Sequence, residues 1–152
     1  TLAKGLGGGM PIGAVVAHGP AAALFGPGAH GSTFGGNPVV TAAALAVLDV
    51  IERDDLLTRV RDVSRRLQEG LVAVSGGLVD HVRGRGLLLA AVLAEPMASS
   101  LEPQLRAHGL LANVVGPDAI RIAPPLVLSD DDVRDVLERW QLACEAVCGQ
   151  GA

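Results

Sequence analysis

The stretch TLAKGLGGGMPIGA, residues 1–14, places the only lysine of the chain, Lys4, just before a run of glycines. A phosphate-binding P-loop has its lysine after the glycines, so this order excludes one. The dinucleotide-binding pattern G-x-G-x-x-G fails as well, because Met10 and Ile12 stand where its last glycine would be. What remains is a lysine at the end of a strand, beside backbone that can be approached closely. This suits a planar cofactor held covalently by the lysine; an exposed lysine beside a flexible loop is the alternative.

The residue type at position 4 carries a second signal. The other eleven of the twelve basic residues are arginine. Arginine is always protonated, whereas a desolvated lysine can lose its proton and act as a nucleophile. A bias in nucleotide composition would also explain the excess of arginine, so this signal supports a reactive Lys4 without requiring it.

The next informative stretch is HGSTFGGNP, residues 30–38. Asn37 and Pro38 are typical of the N-cap and first turn of a helix. Two hydroxyls, of Ser32 and Thr33, and several backbone N–H groups therefore precede a helix N-terminus, where the helix dipole favours an anion. A phosphate fits this position, and an ordinary capped loop is the alternative.

Hydrophobic spacing predicts two parts. In the first, residues 14–17 are expected to form a buried strand, and residues 39–51, apolar almost all round, a helix buried on most faces. A helix follows with one apolar stripe, formed by Leu56, Val60, Val63, Leu67, Leu71 and Val74. The second part then alternates in the order strand, strand, helix, hairpin, helix. The predicted ranges are 79–82, 87–93, 97–108, 110–115 paired with 119–122, and a final helix opened by a capping box of Ser129 and Asp132.

Composition excludes several classes of function. Net charge is −4 and aromatic residues make up 2% of the chain, which argues against a nucleic-acid partner. No apolar run approaches the ~20 residues of a membrane span, so we expect a cytoplasmic protein without a membrane partner. Cys144 and Cys148 have a spacing that would let both bind one metal, but no second Cys/His pair accompanies them. We therefore expect small core residues of a helix and no metal site.

Together these stretches resemble the class III (ornithine-type) aminotransferases, which use pyridoxal 5′-phosphate. TLAKGLGGGMPIGA and HGSTFGGNP carry the resemblance, and VRGRGLLL and AIRIAPPL match motifs of that family's small domain. A small departure is Ala90-Ala91, where the family more often has a glycine; we interpret it as a packing change. The resemblance implies an α/β fold, the C-terminal part of a fold-type I PLP-dependent transferase. Residues 1–54 would then be the end of the large cofactor-binding domain and residues 55–152 the small C-terminal domain, whose first helix links the two.

The resemblance also implies roles for four residues. Lys4 matches the catalytic lysine that binds the cofactor covalently. Thr33 matches the residue that hydrogen-bonds the cofactor phosphate, in this family across a dimer interface. Ser32 matches a position near the substrate, and Arg121 an arginine placed near a substrate carboxylate; a plain surface ion pair is the alternative for Arg121.

The activity implied is transfer of the terminal amine of N2-acetylornithine to 2-oxoglutarate, in arginine biosynthesis, by a homodimer with its active site at the interface. Succinylornithine, ornithine and 4-aminobutyrate are alternative donors. Members of the family carry a long upstream region with a second phosphate cradle, an aromatic stacked on the ring and an acidic partner for the pyridine nitrogen. We therefore expect the 152 residues to be a fragment that is inactive by itself; a catalytically incompetent fragment that only folds or associates is the competing hypothesis.

Overall fold

The computed structural model describes residues 1–149 and divides the chain into two compact units. The first unit covers Thr1–Asp55, and the second begins at Leu56. No helix among the described residues is long and apolar enough to cross a membrane.

The first unit contains one long helix, α1 (Pro38–Arg53), preceded by loops and two short 3-10 turns, Lys4–Gly7 and Gly19–Ala23. Asn37 caps α1 as predicted, since its side-chain oxygen accepts a hydrogen bond from the Val40 N–H at 3.1 Å.

Two expectations for this unit are wrong. Residues 14–17 do not form a buried strand: only Ala14 pairs, with Leu2, and Val15 and Val16 are exposed. A buried strand needs neighbours along its length, and Leu2 alone provides one here. Helix α1 is not buried on most faces either, because Val40 and Ala44 are its only buried residues. Apolar side chains outside α1, such as Val16 and Phe34, are themselves exposed and do not cover the helix.

The second unit is a four-stranded antiparallel sheet with three helices. The strands are β1 (Val79–Arg85), β2 (Leu88–Leu93), β3 (Asn113–Gly116) and β4 (Ala119–Ile122), and the helices are α2 (Leu56–Val74), α3 (Ala98–Ala107) and α4 (Asp130–Gly149). The order across the sheet is β1-β2-β4-β3. This is the mixed helix-and-sheet layer expected from the sequence.

The core of the second unit lies between the helices and one face of the sheet. Leu89, Ala91 and Leu93 of β2 point into it, and the residues between them are more exposed. The predicted stripe of α2 faces the same core, as does Trp140 of α4. The other face of the sheet is more exposed and carries Leu88 and Ala90 of β2.

Two details of the second unit differ from the prediction. The turn between β1 and β2 lies at residues 86–87, because β1 continues through the stretch 83–85 that was expected to be the turn. β3 starts at Asn113 and is shorter than expected. The capping box of α4 is confirmed: the Ser129 N–H donates to Asp132 at 2.8 Å and the Asp132 N–H donates to the Ser129 hydroxyl at 3.1 Å.

Candidate functional site

Lys4 begins the first 3-10 turn, directly after extended backbone. Leu2 exchanges both backbone hydrogen bonds with Ala14, at 2.7 and 2.8 Å, and Ala3 remains extended. Lys4 itself has φ 54°, the left-handed region that a residue with a side chain rarely adopts. Such a conformation costs about 1–3 kcal/mol and is concentrated at functional sites. The side chain is exposed, and no residue in the described part of the chain forms a hydrogen bond or ion pair with its amine.

The glycines after Lys4 let the turn fold closely on itself and against α1. A Cβ on Gly7 would lie 2.8 Å from the Ile12 side chain, and Gly7 is buried. Gly8 has φ 58°, and a Cβ there would lie 3.2 Å from Val47 of α1. Gly7 is required because a Cβ would not fit there, and Gly8 is required because its φ is positive. The turn therefore holds Lys4 at a fixed place near one side of α1.

The segment before α1 uses its two hydroxyls differently. The Ser32 hydroxyl accepts a hydrogen bond from the Gly35 N–H at 2.9 Å and so shapes the loop. Asn37 stabilises the same loop by donating from its side-chain amide to the Phe34 carbonyl at 2.8 Å. The Thr33 hydroxyl makes no hydrogen bond within residues 1–149 and is exposed. Of the two hydroxyls, only that of Thr33 can therefore use both its donor and its acceptor positions to bind a ligand.

A concave surface of about 360 Å³ joins the two sequence stretches of the first unit. Residues 11–13 line one side, and Ser32, Phe34 and the following two glycines line the other, with Val40 at the start of α1. Lys4 and Thr33 lie outside this lining. The structure thus brings Ser32 together with the glycine-rich stretch but does not place Lys4 and Thr33 in one cavity.

Arg121 lies in the second unit, on the exposed face of β4. Its guanidinium donates to the side-chain oxygen of Asn113, its partner across β3 and β4, at 3.0 Å. No carboxylate among the described residues pairs with it, so the surface ion pair considered above is absent there. Most of its N–H donors therefore remain available for a carboxylate, which the guanidinium can bind with two parallel hydrogen bonds.

Arg83, which the sequence motifs do not single out, shares this face of the sheet. The pairing register aligns Arg83 with Ala90, Ala90 with Arg121, and Arg121 with Asn113, which forms one row across four strands. Residues in one row point to the same side of a sheet. The small Ala90 therefore separates two exposed cations. The signal was the alternation within the VRGR stretch, which the expected turn at 83–86 concealed.

The first unit has the functional groups that are needed to bind pyridoxal phosphate. Its aldehyde requires an amine without an internal partner, which Lys4 provides, and its phosphate requires hydroxyl or N–H donors, which Thr33 and the loop before α1 provide. For a metal ion the result is different: the described residues contain no group of three or more His, Cys, Asp or Glu side chains able to hold one.

Comparison with known proteins agrees with the resemblance to class III aminotransferases. The family model "Aminotransferase class-III" matches residues 1–144. The chain is 55% identical over 130 residues to the acetylornithine aminotransferase of Mycobacterium tuberculosis, which covers 86% of this chain and 32% of that protein. It is 53% identical over 137 residues to the acetylornithine aminotransferase of Streptomyces coelicolor, covering 90% and 34%. The chain thus spans about a third of the length of the curated relatives it matches.

The chain is also similar to solved structures of aminotransferases. The crystal structure of N-acetylornithine aminotransferase from Stenotrophomonas maltophilia matches with a TM-score of 0.81 at 32% identity, covering 95% of this chain and 38% of that one. The ornithine aminotransferase from Toxoplasma gondii matches with a TM-score of 0.82 at 30% identity, covering 95% and 36%. Both units therefore have counterparts in enzymes of known structure.

Proposed function

Because the chain belongs to the class III aminotransferases, a PLP-dependent family, we propose that it forms the lysine-bearing part of a longer cytoplasmic enzyme of arginine biosynthesis. That enzyme transfers the terminal amine of N2-acetylornithine to 2-oxoglutarate, giving N-acetylglutamate 5-semialdehyde and glutamate. In this proposal the first unit is the end of the large domain and the second unit is the small domain.

The observation that carries the proposal is Lys4. It is the one lysine of the chain, its amine has no partner among the described residues, and its backbone is strained in a turn that glycines fix. Bound pyridoxal phosphate supplies an aldehyde for this amine and a ring that draws electrons from the bond to be broken. Lys4 Nζ would hold the cofactor. The same amine, when free, would move a proton to or from the amine-bearing carbon of the substrate.

Thr33 binds the cofactor phosphate and Ser32 binds the substrate. The Thr33 hydroxyl donates a hydrogen bond to the cofactor phosphate, which lies near a helix N-terminus where negative charge is stabilised. We assign this contact to the cofactor of a partner subunit in a homodimer, as the resemblance to class III aminotransferases implies. The Ser32 oxygen accepts a hydrogen bond from the Gly35 N–H, and its O–H is free to donate to substrate.

Arg121 binds a substrate carboxylate. Its bond to the Asn113 side chain holds the guanidinium in place while leaving donors for a bidentate contact. Such a contact holds the substrate in one orientation, which lowers the entropic part of the barrier.

The substrate is tested by assaying the longer enzyme with N2-acetylornithine, succinylornithine, ornithine and 4-aminobutyrate, each with 2-oxoglutarate. We expect the highest kcat/KM for N2-acetylornithine, as the names of the most similar relatives suggest. Ornithine is the second candidate, because an ornithine aminotransferase is among the structural neighbours. A higher kcat/KM for any other donor would contradict the proposed substrate.

The role of Lys4 is tested separately on the longer enzyme. Pyridoxal phosphate is added, the protein is reduced with borohydride, and the modified peptide is mapped by mass spectrometry. Cofactor mass on Lys4 is expected. Cofactor mass on another residue of this chain, or on none, would contradict the proposed role and favour a catalytically incompetent fragment.

A further inference from the structure

We draw no further inference here: the strongest candidate, the row of exposed arginines that Arg83 of β1 and Arg121 of β4 form on one face of the sheet, belongs through Arg121 to the substrate site already described, and nothing in the described part of the chain shows what Arg83 binds.

Discussion

Lys4 and Thr33 share a property that distinguishes them from their neighbours. Each carries a polar group that no other described residue engages, whereas Ser32 and Asn37 use theirs to hold the loop together. Unpaired reactive groups on a loop stabilised by other residues are typical of binding sites. Three predictions concern single residues.

Lys4→Arg keeps the positive charge but removes the amine that can bond to an aldehyde and carry a proton. In the longer enzyme we expect turnover to fall below detection while the folded structure is retained, since Lys4 is exposed. Steady-state assays and circular dichroism on purified variants check this. Residual kcat within tenfold of the unmodified enzyme would rule out the proposed role.

Thr33→Ala removes one hydrogen bond to the cofactor phosphate. A charge-assisted bond contributes about 1.5–3 kcal/mol, so the Kd for pyridoxal phosphate should rise roughly 10- to 150-fold. Thr33→Ser retains a hydroxyl and serves as the matched control, expected to stay close to the original Kd. If both variants bind as tightly as the original protein, Thr33 does not contact the phosphate.

The two cysteines of α4 should differ in reactivity. Cys144 is buried, and burial raises the pKa of its thiol to about 12, with smaller contributions from Cys148 and Glu145. Only the thiolate reacts, so at pH 8 about one in ten thousand Cys144 thiols is reactive. Cys148 is exposed. Ellman's reagent should therefore titrate one thiol in the native chain and two in guanidinium, and Cys148→Ser should leave none reactive in the native state.

At the scale of elements, the β1–β2 hairpin is held by a glycine that the sequence alone does not distinguish from others. Gly84 has φ 140°, and a Cβ there would lie 2.2 Å from the Leu88 carbonyl oxygen and 2.9 Å from the Leu89 Cα. Backbone atoms cannot move aside as a flexible side chain can. The close approach of these strands keeps Arg83 and Ala90 in register with Arg121.

Gly84→Ala should therefore destabilise the chain by more than about 3 kcal/mol, because it combines backbone strain with a clash inside the sheet. Gly76→Ala is the matched control, since Gly76 also has positive φ (62°) but nothing lies within 4 Å of its Cβ position. That variant should lose about 1–2 kcal/mol, from conformation alone. Urea unfolding curves measure both; equal losses would show that the hairpin accommodates the clash.

At the scale of the whole molecule, several apolar residues of α1 are exposed. Val39, Leu45 and Leu48 are 66%, 61% and 46% exposed. An apolar surface of this kind favours association. The curated relatives that the chain matches are about three times as long.

We expect the 152-residue chain alone to associate and to show no transamination of N2-acetylornithine with 2-oxoglutarate. A site that binds its cofactor through one loop does not position the reacting groups as catalysis requires. Light scattering and the coupled assay test this together, and replacing Leu45 and Leu48 with glutamate should increase the monomer fraction. Turnover of about 1–10³ s⁻¹ from a monodisperse monomer would prove the prediction wrong.

The sequence by itself determined the local features of this protein and its family. The caps at Asn37 and Ser129, the apolar stripe of α2 and the β3–β4 hairpin depend on residues a few positions apart, and all are confirmed. The α/β fold of a fold-type I transferase is also confirmed, by similarity to solved aminotransferases.

Only the tertiary structure decided what depends on partners distant in sequence. The apolar run 14–17 is not a buried strand, because a strand needs paired neighbours and only Ala14 has one. Helix α1 buries only Val40 and Ala44. The row that unites Arg83 with Arg121 arises from strand order. Packing leaves the buried indole N–H of Trp140 without a hydrogen-bond partner within residues 1–149. Local patterns encode helices, caps and turns, whereas burial, register and hydrogen-bond satisfaction are properties of surfaces that meet only when the chain has folded.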